Sequence, residues 1–221
     1  MRLIPSSCSK RWFLQLMAGA AISMSVGLAQ AADATAPDQL IRQLSVEVLD
    51  AVKSDKAIQG GDVQKVIVLV DAKIMPHVNF QRMTASAVGR FWRQATPEQR
   101  QRLQDEFKSL LVRTYAGALT QVKDQTIAMK PLRAAAEDTD VVVRTEVRGK
   151  GEPIQLDYRL EKTDQGWRIY DVNVLGIWLA DQYRNSFAQE INAKGIDGLI
   201  KALAERNQKA AAASSAPSAK P

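Results

Sequence analysis

The residues with the best claim to chemistry in this chain are carboxylates. Asp171 stands between Tyr170 and Val172 in an apolar stretch that would raise its pKa, the setting in which an acid becomes a base toward a hydrophobic substrate. The same position suits an acceptor of backbone or side-chain hydrogen bonds near the end of a sheet. Glu98, Asp105 and Glu106 have the spacing of a solvated helix face with acidic residues near its start. His77 is the one histidine, so a histidine metal cluster is excluded, and its place beside Pro76 suits a helix end. The one cysteine, Cys8, precedes an apolar run rather than following it, which removes thiol nucleophiles, disulfides and cysteine metal sites from the body of the chain. No Gly-x-Ser-x-Gly elbow, phosphate-cradling glycine loop or dinucleotide fingerprint occurs. No cofactor is implied.

The elements that position these residues begin with a leader. Arg2, Lys10 and Arg11 precede an apolar run from Trp12 to Ala29, and Ala29-Gln30-Ala31 has the small-x-small pattern of a cleavage site, so residues 1–31 read as a secretory signal peptide. A membrane anchor is the other reading of that run, which is short and rich in Gly, Ser and Ala for a span. Removing 31 of 221 residues leaves 190, enough for one domain over 32–208. The net charge of +6 less the leader's three positive charges leaves +3, too mild to argue for nucleic acid. "AAAASSAPSAKP" ends the chain, and 209–221 reads as a disordered tail.

Leu40, Ile41, Leu44, Val48 and Val52 recur at helical spacing over 38–54. Asp62 caps a second helix carrying Val63, Val66, Ile67, Val70 and Ile74, which Pro76 closes. Asn79 caps a third, with Phe80, Met83, Ala87, Phe91 and Trp92 along one side. "TPEQ" at 96–99 is a capping-box start for a long helix through about Lys123, roughly 40 Å. After Lys123 the period becomes two. Val141, Val143, Thr145 and Val147 alternate with Arg144, Glu146 and Arg148, and Ile154, Leu156, Tyr158 and Leu160 alternate with Gln155, Asp157, Arg159 and Glu161. These strands with short links predict an antiparallel sheet wetted on one face and covered by helices on the other, an α+β fold.

One stretch breaks the pattern. "GWRIYDVNVLGIWLADQYRNSFAQEI" at 166–191 opens as a strand with large residues on both faces, Trp167, Ile169 and Leu175 against Tyr170, Val172 and Val174. Leu179, Tyr183, Phe187 and Ile191 then recur every four residues, with Trp178 adjacent. Periodicity alone leaves two readings open, ordinary core or the wall of an apolar ligand site.

Together with that stretch, "KIMPHVNFQRMTASAVGRFWRQATPEQRQRLQDEF", "LLVRTYAGAL" and "KGIDGLIKAL" follow one another in an order that resembles the toluene-tolerance, or MlaC-type, periplasmic phospholipid-binding family, over about residues 38–205. The resemblance implies a four- to five-stranded twisted antiparallel sheet in a nuclear-transport-factor-like half, a helical half, and a deep apolar pocket between them. It implies a monomeric periplasmic carrier that takes a glycerophospholipid between an outer-membrane lipoprotein complex and an inner-membrane ABC transporter complex, maintaining outer-membrane lipid asymmetry without catalysis. Two acyl chains hold about 30 methylenes at about 0.8 kcal/mol each. Leaving five of them wet would weaken binding by roughly 4 kcal/mol, about a thousandfold. The tails must therefore be enclosed and the headgroup left in water. The expected lining is Val141, Val143, Leu156, Tyr158, Trp167, Ile169 and Val174 from the strands. From the helices it is Met75, Met83, Phe91, Phe107, Leu111, Tyr115, Trp178, Tyr183 and Phe187, and Arg144 and Arg184 suit either surface salt bridges, the reading preferred, or phosphate partners at the mouth. The alternatives are a small cavity isomerase or hydrolase with Asp171 as base, and a structural envelope module whose aromatics are core.

Overall fold

A computed structural model describes residues 35–215. The expected leader, with Cys8, and residues 216–221 lie outside the described residues. Among the described residues five α-helices precede the first strand. Helix α1 (Pro37–Ser54) buries Leu40, Ile41, Leu44 and Val52, the stripe its spacing requires. Asp55 caps a single-turn helix, α2 (Lys56–Gln59), which periodicity over so few residues does not register. Helix α3 (Val63–Leu69) starts where expected, with Asp62 accepting from the Gln64 and Lys65 backbone N–H groups. It does not run on regularly to Ile74. Val70–Ile74 widens into a π turn and Met75–His77 tightens into a 3-10 turn, because Pro76 has no N–H with which to extend an α-helical ladder. In α4 (Phe80–Val88) the Asn79 side chain accepts from the Arg82 N–H, and Gly89, at φ 64, ends the helix before a 3-10 turn that carries Phe91 and Trp92.

Thr96 and Gln99 form the reciprocal capping box that "TPEQ" predicts, opening α5 (Pro97–Thr120), about 36 Å long. Five strands follow as a meander: β1 (Thr126–Met129), β2 (Asp140–Arg148), β3 (Ile154–Thr163), β4 (Gly166–Val174) and β5 (Ile177–Trp178), all antiparallel and in sheet order β1-β2-β3-β4-β5. Helix α6 (Leu179–Ser215) closes the chain and is interrupted at Gly195, whose φ of 73 and ψ of −179 separate two helical halves. Residues 209–215, at the start of the expected tail, belong to its second half.

The anomaly in β4 has a simple geometric origin. Arg159 pairs with Asp171 but Leu160 pairs with Ile169, so Tyr170 is an extra residue, a β-bulge. One extra residue reverses the facing of everything beyond it. Trp167 and Ile169 before the bulge and Val172 and Val174 after it consequently share one face with Val141, Val143, Leu156, Tyr158 and Leu160. Asp171 and Asn173 fall on the other face, opposite Arg159 and Asp157.

The apolar side holds three clusters. Helix α1 packs Leu40, Ile41 and Leu44 on Val141, Val143, Leu160 and Ile169. Helices α4, α5 and α6 meet around Phe107, Leu111, Tyr183 and Phe187. Val52, Ile58, Val66, Val70, Ala116 and Val122 form the third. The opposite face is not simply wetted, as alternation alone implies. Asp157, Asp171 and Asn173 are buried there.

Candidate functional site

Nine of the sixteen expected lining residues are packed core. Met83, Phe91, Phe107, Leu111, Tyr183 and Phe187 belong to the helical cluster, and Val141, Val143 and Ile169 to the sheet–α1 cluster. Phe107 is 0% exposed and centres a set of rings, 5.2 Å from both Tyr183 and Phe187 and 5.8 Å from Phe80. The two T-shaped pairs place ring edges on ring faces, the arrangement the aromatic quadrupole favours. Phe80, Phe107, Tyr183 and Phe187 pack on one another.

The half-buried members are better placed to meet a guest. Leu156, Val174 and Ile177 stand in one cross-strand row on the apolar face, and Val172 lies one pair along. Val172, Val174 and Tyr115 all pack on the helical cluster, while Val172 and Tyr158 also pack on the sheet–α1 cluster. The boundary between the two clusters therefore runs along β4, against α4 and α6. Beyond it the apolar surface continues to the outside at Ile154 (43% exposed), Leu175 (66%) and Ile177 (55%). Leu175 has a φ of 53, the only positive value at a non-glycine among the described residues, in the turn before β5. Trp167 joins the sheet–α1 cluster and Met75 the third cluster, where it also borders a surface cleft beside the β3–β4 turn.

The tyrosines on this boundary are held by polar contacts. The Tyr115 hydroxyl donates to Gln182 Oε1 at 3.4 Å, and burial together with nearby Tyr183 pushes its phenol above the ordinary value. Burial pushes Tyr158 up as well, opposed by hydrogen bonds with Thr145 and Ser45.

Trp178 does not join the apolar wall expected of it. It lies in β5 opposite Asn173, so its ring projects from the polar face, 3.9 Å beneath the Arg159 guanidinium. The residue belongs to a strand where helical periodicity, started too early, counts it as the helix's first ring. Arg184 makes the surface salt bridge its type suggests. It pairs with Asp181 at 2.9 Å and donates to the Ser86 carbonyl. Arg144 stands on the polar face, away from the clusters.

Asp171 is 1% exposed, and burial is the main influence raising its pKa, as its neighbours in sequence suggest. Its oxygens are engaged. Oδ1 accepts from the Val172 N–H at 2.9 Å and from the Ala180 N–H at 3.1 Å, in the first turn of α6, and Oδ2 accepts from Arg159 at 3.2 Å. The carboxylate fastens the start of α6 to β4, the hydrogen-bonding role its place near the sheet end allows. Among the described residues no group of His, Cys, Asp or Glu is arranged to hold a metal ion, and no helix is long and apolar enough to cross a membrane.

Three residues that join two clusters are absent from the expected lining. Val172 is hidden from alternation by the bulge at Tyr170. Val48 and Ile74, shared between the sheet–α1 cluster and the third cluster, were readable only as amphipathic helix stripes.

This geometry recurs in known proteins. The fold overlays, with a TM-score of 0.77 and 53% sequence identity, on a phospholipid-binding protein from Ralstonia solanacearum solved in complex with a phospholipid, covering 81% of this chain and 99% of that one. The intermembrane phospholipid transport system binding protein MlaC of Haemophilus influenzae is 22% identical over 197 residues, 86% of this chain and 90% of its own. The toluene tolerance protein ttg2D of Pseudomonas putida is 26% identical over 165 residues, 74% of this chain and 77% of its own. The family model described as MlaC protein matches residues 42–205, and the chain belongs to that family.

Proposed function

We propose that the chain is a periplasmic phospholipid carrier. It holds the acyl tails along the apolar face of the sheet, at the boundary between the sheet–α1 cluster and the α4–α5–α6 cluster. The observation that carries this reading is the phospholipid in the Ralstonia solanacearum structure, a relative sharing 53% of its sequence and matched over 99% of its length. The physics favours the same place. Apolar surfaces meet across the boundary, so parting them for two tails exchanges one apolar contact for another. The exposed Ile154, Leu175 and Ile177 give that boundary an apolar threshold at the end of the sheet.

In this reading the headgroup remains in water and the lipid passes between an outer-membrane lipoprotein complex and an inner-membrane ABC transporter complex, sustaining outer-membrane asymmetry. The carrier acts as a monomer without catalysis. Asp171 as a base has no comparable support, since helix, strand and Arg159 already occupy its oxygens. Solvent extraction and mass spectrometry of protein purified without detergent test the proposal. Near-stoichiometric diacyl glycerophospholipid is expected, and its absence from both the fresh protein and protein incubated with phospholipid vesicles would overturn it.

A further inference from the structure

The polar face of the sheet carries a cleft of about 740 Å³ that tail binding does not use, lined among others by Lys130, Arg133, Asp140, Arg144, Gln155 and Asp157. Several of its charges are answered within the protein. Lys130 pairs with Glu146, while Asp140 takes Arg82 at 2.9 Å and the Tyr170 hydroxyl at 2.8 Å. Three are not. Asp157 is 5% exposed, and its Oδ2 accepts from Gln155 Nε2 at 2.8 Å, but its Oδ1 is buried with no hydrogen-bond partner. Arg133 and Arg144 enter no ion pair among the described residues, although Arg144 stands directly across the ladder from Asp157.

A buried carboxylate oxygen without a donor is costly, and the cost is relieved by a cationic donor. Two unpaired guanidinium groups beside it ask for an anion. A simple amine would meet repulsion from the arginines and a bare phosphate repulsion from Asp157, so one small molecule must carry both charges. Cβ atoms of a cross-strand pair lie roughly 5 Å apart, within the span of a short zwitterion. A carboxylate is saturated by one guanidinium fork, whereas a phosphate ester has oxygens for two.

We propose that this cleft binds a phosphoethanolamine-type zwitterion, its ammonium drawn to the Asp157 carboxylate and its phosphate held by Arg133 and Arg144. The site is on the opposite face of the sheet from the tail-binding boundary and stands or falls independently of it. The ligand chemistry is shared by a soluble phosphoethanolamine ester and by an ethanolamine headgroup at a membrane surface.

The test is an NMR titration of the intact protein with O-phosphoethanolamine and, separately, phosphocholine, whose quaternary ammonium has no N–H to donate. Saturable shifts centred on Arg133, Arg144 and Asp157 are expected with the first, and at least tenfold weaker binding with the second. Arg144→Gln, at an exposed position, and the near-isosteric Asp157→Asn should each weaken phosphoethanolamine at least tenfold while leaving extracted phospholipid unchanged. No saturable binding, equal binding of phosphocholine, or an unaffected Arg144→Gln protein would overturn the proposal. Flotation with vesicles of phosphatidylethanolamine and phosphatidylcholine, against phosphatidylcholine alone, separates the sources. An Asp157-dependent gain with ethanolamine lipid assigns the headgroup, and binding of the free ester alone assigns the soluble compound.

Discussion

Replacing Asp171 separates its two possible roles by free energy. In Asp171→Ala the N–H groups of Val172 and Ala180 lose their acceptor and Arg159 loses one partner. Each lost bond that leaves a buried donor unsatisfied costs about 1–3 kcal/mol. The Arg159 contribution adds less than about 1 kcal/mol, because that side chain is 33% exposed and keeps Trp178 beneath it. The sum is about 2–7 kcal/mol, a large share of the roughly 5–15 kcal/mol that holds a domain together. Asp171→Asn keeps an oxygen for both N–H groups and turns only an amide toward Arg159, so about 1 kcal/mol is expected.

The effect of pH follows from the direction of the Asp171 shift. Burial raises its folded-state pKa above the unfolded value, so its favourable contribution is complete below the unfolded pKa and is lost as pH rises through the folded one. The stability gap between wild type and Asp171→Asn should therefore widen as pH is lowered from 7 toward 4. Urea unfolding followed by circular dichroism and tryptophan emission measures all three proteins. An alanine variant within about 1 kcal/mol of wild type, or an asparagine variant as damaged as the alanine one, would refute the helix-fastening role.

Tyr115→Arg and Val174→Glu, at half-buried boundary positions, should each lower the extracted phospholipid severalfold without loss of the circular dichroism signal; unchanged lipid in both would move the tails elsewhere. Gly195→Ala places a side chain at a φ of 73, where no heavy atom beyond its chain neighbours lies within 4 Å of the added carbon, so its whole cost is backbone strain, about 1–3 kcal/mol by urea titration.

Features that depend on neighbours in sequence were legible in advance. The Thr96–Gln99 capping box, the Asp62 and Asn79 caps and the stripe of Leu179, Tyr183, Phe187 and Ile191 all stand where their spacing puts them, because each is decided within one or two turns of chain. The bulge at Tyr170 was visible only as an excess of large residues on both faces of a strand, since its cause is the pairing with β3. Trp178 was misplaced for a related reason, because a two-residue strand is too short to show a period. The candidate site was legible in its residue types but not in their division. Phe107 and Tyr115 share a helix stripe, and only the packing of α6 buries one and leaves the other half open.

The meander has a consequence for the order in which the molecule is assembled. Every strand pairs with its neighbour in sequence, so the sheet can form from the contiguous segment 126–178, closing short loops at small entropic cost. Val172 and Val174 acquire part of their cover from α4 and the rest only when α6, the last element of the chain, folds back across them. Until that moment the apolar face of a finished sheet is open along one side. The last segment synthesised thus closes an apolar surface that the earlier elements have already laid down.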